Sequence, residues 1–193
     1  MVKVAFFDEH LDIPEEVNVK VEGNNQITVE GPEGGPITKD FSHARGIRIN
    51  VEGDKIYFRA DFPRNTTLSL VNTIINIIKN LIVGVQKNYK YVSKVCYSHF
   101  PCSVRADERK KIVYVENFLG ERAPRKARYG KNVKVEVDGD DVYFIGPDKE
   151  ELGQAAANVK RSCRIRKKDP RVFQDGVYLF RIQHGDEITW QIK

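Results

Sequence analysis

The chain has 193 residues, 40% hydrophobic and 31% charged, with 32 basic and 27 acidic side chains for a net charge of +5. That length buries one or two cores, and three cysteines (Cys96, Cys102 and Cys163) without compact spacing exclude a disulfide framework and point to a reducing, cytosolic setting. The opening MVKVAFFDEHLDIPEE lacks the basic and apolar regions of a signal peptide, and Asn72, Asn76, Lys79 and Asn80 interrupt the most apolar stretch, Leu68 to Val85, which argues against a membrane span.

In chain order, Val17–Val21 and Gln26–Glu30 alternate around the turn Glu22-Gly-Asn-Asn25, a hairpin by pattern. Gly31–Pro36 is a Gly/Pro loop and Ile37–Phe41 a short strand. Arg45–Val51 and Lys55–Ala60 flank Glu52-Gly53-Asp54 as a second hairpin. The period then changes. From Thr67 to Val83 the apolar residues leave one polar stripe, which predicts a helix capped by Asn65, Thr66 or Thr67 and laid on a sheet. Tyr89–Tyr97 and Lys111–Glu116 read as strands, and Asn132–Val137 and Val142–Ile145 flank the turn Asp138–Asp141. A second helix starts at Asp148 with Glu151 three residues on, the spacing of a capping box. Its apolar positions Leu152, Ala155, Ala156 and Val159 are mostly small, so it should pack close to its sheet.

The halves match. Ile49-Asn-Val-Glu-Gly-Asp-Lys-Ile-Tyr-Phe58 aligns with Val135-Glu-Val-Asp-Gly-Asp-Asp-Val-Tyr-Phe144, and the helices then fall in register. The expected fold class is α+β: two tandem duplicated domains, residues 1–84 and 85–193, each a mostly antiparallel sheet with one helix packed on a face. Charge divides them. Residues 1–86 hold 9 Lys and Arg against 12 Asp and Glu, whereas residues 87–193 hold 23 against 15. Only the second half is suited to a polyanion.

Two cationic stretches carry that expectation. Arg122, Arg125, Lys126, Arg128, Lys131 and Lys134 run without an acid, and Pro124 and Gly130 suggest a loop ordered on binding. Arg161, Arg164, Arg166, Lys167, Lys168 and Arg171 fall within eleven residues with Asp169 the one acid, as a loop leaving a helix and entering a strand. Such density suits phosphates, whose neutralisation releases counterions. Asp175-Gly176 reads as a tight turn. Phe173 and Tyr178 could stack on bases, and their strand spacing equally fits a core. Lys87, Lys90 and Lys94 read as the solvent side of a strand. Cys96, His99 and Cys102 give too few ligands for a zinc site. Phosphate-cradling glycine loops and nucleophile elbows are missing from the sequence, so no cofactor, metal, catalytic residue or small-molecule substrate is expected.

Tyr97-Ser-His-Phe-Pro101, Asn117-Phe-Leu-Gly-Glu121 and Lys168-Asp-x-Arg171-x-Phe173-x-Asp175-Gly176-Val177-Tyr178 resemble a family of large-ribosomal-subunit proteins, numbered six in bacteria and nine in the eukaryotic scheme, in its archaeal and eukaryotic branch. The resemblance spans most of residues 1–180. It implies a non-enzymatic, cytoplasmic ribosomal protein (assembled in the nucleolus in a eukaryote) that binds large-subunit rRNA near the factor-binding, sarcin–ricin region. Neighbouring ribosomal proteins would be its other partners, with no membrane involved. The RNA-binding residues would be Arg122, Arg125, Lys126, Arg128, Lys131, Arg164, Arg166, Lys167, Lys168, Arg171, Phe173, Asp175, Gly176 and Tyr178. Pro170 departs from the motif, where an aliphatic residue is expected. The alternative is a free-standing RNA-binding regulatory module.

Overall fold

Antiparallel strands and one apolar helix build the first repeat. The computed structural model describes residues 5–23, 25–169 and 171–192, so Asn24 of the expected turn and Pro170 lie outside the described residues. The chain divides into two compact units, residues 1–87 and 88–193. The first contains β1 (Phe6–Asp12), β2 (Asn18–Glu22), β3 (Gln26–Glu30), β4 (Ile37–Asp40), β5 (Arg48–Glu52), β6 (Lys55–Asp61) and α1 (Asn65–Gln86). Its strands form two antiparallel sheets, β2–β3–β4 and β1–β6–β5, rather than one.

Alternation sets which side chains enter the core. Ile27 and Val29 of β3, Ile49 of β5 and Ile56 and Phe58 of β6 point inward, two residues apart within a strand. They meet Val71, Ile74, Ile78, Leu81, Ile82 and Val85, which lie three or four apart on one face of α1. By length and composition α1 is apolar enough to cross a membrane, with a mean hydropathy of 1.7. That face is instead covered by the strands of its own unit, and Leu70, Ile75 and Ile77 pack beside it. Each fully buried Ile or Phe contributes roughly 1.5–3 kcal/mol. The helix starts earlier than expected, with Arg64 in the cap position and no side-chain cap bond. Ser69 and Thr73 hydroxyls donate back to the Asn65 and Ser69 carbonyls.

The second unit repeats the order. It runs β7 (Tyr89–Cys96), β8 (Ser103–Asp107), β9 (Ile112–Glu116), a 3-10 turn (Phe118–Gly120), β10 (Arg125–Arg128), β11 (Lys134–Asp138), β12 (Asp141–Gly146) and α2 (Lys149–Ser162). The sheets correspond strand for strand: β8–β9–β10 to β2–β3–β4, and β7–β12–β11 to β1–β6–β5. Gly53 and Gly139 begin the two-residue turns of the equivalent hairpins at φ +60° and +56°, a conformation that favours glycine. What the second unit adds is β13 (Gly176–His184) and β14 (Glu187–Gln191), antiparallel strands that extend the larger sheet beyond β7.

Helix α2 begins as its sequence predicts, with Asp148 Oδ1 accepting from the Glu150 amide at 2.9 Å. The expected return arm from Glu151 goes elsewhere: its carboxylate accepts from the Asn132 side-chain amide at 3.2 Å. Glu150 and Glu151 in the first turn and Lys160 and Arg161 in the last complement the helix dipole. Buried Leu152, Ala155, Ala156 and Val159 permit the close approach, and a methyl group placed at Gly153 would touch the Tyr91 ring at 3.9 Å.

Phe58 and Phe144 occupy equivalent, fully buried positions in the two units. Phe58→Ala and Phe144→Ala should each lower the unfolding free energy by about 3–5 kcal/mol, read from urea midpoints. A loss under about 1 kcal/mol at either site would contradict this account of the cores.

Candidate nucleic-acid interface

The first cationic stretch is only partly a loop. Arg125–Arg128 is strand β10, paired with β9, because Ala127 and Tyr129 alternate inward while Lys126 and Arg128 face out. One small apolar residue among three cations hides that period in the sequence. The register places Arg125 opposite Val115, Lys126 opposite Tyr114 and Arg128 opposite Ile112. From the other side β8 places Arg105 opposite Tyr114. The Tyr114 ring therefore lies between two cations, with Arg105 Cζ 4.8 Å and Lys126 Nζ 5.9 Å from its centroid.

The two cationic stretches meet. Arg125 Nη1 donates to the Ser162 carbonyl at 2.8 Å, and Asn158 Nδ2 donates to the Arg128 carbonyl at 2.9 Å. Both ends of β10 are thus bonded to the last turns of α2, from which the 163–175 loop departs. Arg125 is held further by two hydrogen bonds of 2.6 Å to Glu121 and by the Phe118 ring, 5.1 Å from its guanidinium. Those bonds from Arg125 hold the Glu121 carboxyl below its ordinary value. Asn117, which opens the same segment, donates to the Pro101 carbonyl at 2.9 Å. The Phe100 ring lies 3.5 Å from where a Gly120 side chain would start.

The far end of the loop is anchored by Asp175, which is 2% exposed. Its Oδ1 accepts from both the amide and the hydroxyl of Ser98, each at 2.9 Å. Asp175-Gly176 is therefore not a tight turn: Gly176 is buried and opens β13. The Tyr178 hydroxyl donates to the Asp175 carbonyl at 3.3 Å, and its ring lies 3.0 Å from where a Gly176 side chain would begin. The three motifs that carry the family resemblance thus converge on one end of the unit, where they position the loop.

Between these anchors Arg164, Arg166, Lys167, Lys168 and Arg171 are exposed. Arg171 is paired with Asp169 at 3.1 Å, and its hydrogen bonds hold the Asp169 carboxyl below the ordinary range. Lys168 Nζ lies 4.5 Å from the centroid of half-buried Phe173. Lys167 adopts a left-handed φ of 60°. Arg122, Lys126, Arg128 and Lys131 are exposed, whereas Arg125 is committed to internal partners. Arg105, Tyr114 and Lys160 were not singled out by sequence reasoning, since only strand register and helix end bring them beside the predicted cations. Lys94 is exposed and Lys90 lies over Tyr143 at 4.2 Å. His99 packs edge-on against Phe100, and burial pushes the Cys102 thiol up to about 11. No cluster of His, Cys, Asp or Glu among the described residues is arranged to hold a metal ion.

Asp175→Ala should destabilise the second unit by about 1–3 kcal/mol, because the Ser98 donors lose their acceptor. Faster lysine-specific proteolysis at Lys167 and Lys168 would report the loosened loop. The Glu121–Arg125 pair predicts a smaller, pH-dependent effect. With the folded carboxyl depressed, its contribution is present above the ordinary glutamate value of roughly 4.3 and is lost as pH falls through the depressed one. The urea midpoint should therefore drop more between pH 7 and pH 3 for the parent than for Glu121→Gln, by under about 1 kcal/mol at this exposure.

Comparison with known proteins follows the same residues. The family model described as "Ribosomal protein L6" matches residues 13–88 and 100–176, one stretch in each repeat. The chain is 44% identical to "Large ribosomal subunit protein uL6" of Staphylothermus marinus over 181 residues, 93% of this chain and 97% of that protein. It is 42% identical to the protein of the same name from Desulfurococcus amylolyticus, with the same shares covered. The counterpart from Methanosphaera stadtmanae is also 42% identical, over 93% of this chain and 95% of its own. Matched across both repeats and nearly end to end, the chain belongs to the ribosomal protein L6 family.

Proposed function

We propose that the chain is a structural, non-catalytic constituent of the large ribosomal subunit, working on cytoplasmic ribosomes and holding rRNA through its second unit. The observation that carries this reading is the junction of β10 with the end of α2, which makes the two cationic stretches one surface. On it Lys126, Arg128, Arg164, Arg166, Lys167 and Lys168 are exposed, while Arg125 and Arg171 hold the framework through Glu121 and Asp169. The exposed cations contact phosphates, and recognition is by shape and backbone, since side chains do not reach the bases in the deep groove of A-form RNA. Phe173 supports the loop from beneath Lys168, and Asp175 and Gly176 act on RNA only through the loop they position. The family resemblance supports a place near the factor-binding, sarcin–ricin region. The first unit, mildly acidic, faces proteins and solvent.

Sedimentation of lysate on a density gradient at low and high salt tests the reading. The parent chain should co-migrate with large subunits through moderate salt. The variant carrying Arg166→Ala, Lys167→Ala and Lys168→Ala should leave them at lower salt. With isolated RNA, its log–log salt slope should flatten by about one for each phosphate that is no longer neutralised. A parent chain that stays at the top of the gradient at both salts would point instead to a free-standing RNA-binding module.

A further inference from the structure

Beside the cationic surface lies an open cavity of about 570 Å³, lined by Ala157, Lys160, Arg161, Cys163, Arg164, Ile165 and Tyr178. Its volume falls in the range ordinary for small-ligand sites, roughly 300–1,000 Å³. The construction is two-sided. Ala157, Ile165 and the Tyr178 ring give it apolar walls, and Lys160, Arg161 and Arg164 give it three exposed cations with no acid among the lining residues.

Tyr178 is a fixed wall. Its hydroxyl is tied to the Asp175 carbonyl, its ring packs where Gly176 has no side chain, and Asp175 is itself held by Ser98. Lys160 Nζ sits 5.8 Å from the ring centroid. Burial raises both the Tyr178 phenol and the Cys163 thiol above their ordinary values, so neither presents an anion at neutral pH.

The geometry points to a receptor for one unpaired nucleotide of the bound RNA, its base against Tyr178, Ile165 and Ala157 and its phosphates against Arg161 and Arg164. The inference rests on the RNA-binding reading above and deepens it: the surface would read a bulged or flipped-out residue as well as the backbone. Charge selects this occupant, because a cavity with three cations and no acid suits a polyanion. Position agrees, since Arg161 and Arg164 belong to the cationic stretch that runs into the loop. An open apolar wall also suits a base tethered to a strand, because every base has a face that stacks and such stacking is sequence-tolerant.

The test uses the full chain and two short RNA hairpins, one fully paired and one carrying a single unpaired, fluorescent aminopurine. The bulged hairpin should bind about tenfold tighter, within the range that one base stacked on an aromatic ring contributes. Its emission should change on binding. Ala157→Trp fills the cavity without removing a cation and should abolish that advantage while leaving the paired hairpin's affinity unchanged. Ile165→Trp, on the loop side, should do the same and serves if the helix variant does not fold. Equal binding of both hairpins by the parent chain would overturn the cavity's role and leave RNA binding standing; a cavity for a protein side chain gives that result. Binding of neither would overturn both readings. A bulge advantage that survives in the filled variants would place the nucleotide elsewhere and overturn the assignment.

Discussion

The second unit depends on one buried carboxylate. Asp175 is withdrawn from solvent and would be costly there without partners. It finds them in the amide and hydroxyl of Ser98, at the turn that follows β7. Two segments far apart in sequence are thereby joined, and the segment leading into the joint is crowded with like charges. Repulsion alone would spread such a loop into solvent. Helix α2 fixes where it starts and the Asp175 joint fixes where it ends, so the cationic loop is held at both ends. Gly176 and Tyr178 complete the joint, the first by lacking a side chain and the second by bonding back to the Asp175 carbonyl.

Cations on this surface fall into two groups by what they touch. Arg125 is internal architecture: carboxylate, helix carbonyl and aromatic ring together make it the link between β10, the Asn117–Glu121 segment and α2. Arg171 shapes its own loop by closing on Asp169. Lys126, Arg128, Arg164, Arg166 and Lys167 project outward from what these two hold. Exposed ion pairs contribute little to stability, so these outward charges are not what holds the fold together. Arginine suits the inward role because its planar fork matches a carboxylate with two hydrogen bonds.

Duplication gave both units one topology, and the difference between them begins where the helices end. After α1 the chain passes directly into β7. After α2 it makes the cationic loop and returns as β13, which pairs with β7 on the side away from β12. In the first unit β1, the counterpart of β7, has β6 as its one strand partner among the described residues. The shared parts are the ones that bury apolar surface, such as Phe58 and Phe144. The loop found in the second unit alone carries one of its two cationic stretches, and the other runs through β10, a strand that both units share.

Much of the fold was legible because its signals are local. Period-two alternation, Gly-Asp turns and the switch to helical spacing each depend on residues within a few positions of one another, and the offset between halves exposed the duplication. The return arm of α2 differs from its local reading because the competing partner, Asn132, comes from elsewhere in the chain, whereas α1 begins after Arg64 with no side-chain cap bond at all. Strands β1, β8, β10 and β14 escaped notice since charged or exposed side chains mask their alternation. The sequence by itself determined the fold class, the repeat and the location of the charge, since these follow from composition and short-range pattern. Only the tertiary structure decided that the two cationic stretches share one surface, that Arg125 and Asp175 build rather than face outward, and that Arg105 and Tyr114 stand beside Lys126. Each of those facts is a long-range pairing, set by strand register and side-chain hydrogen bonds between residues distant in the chain.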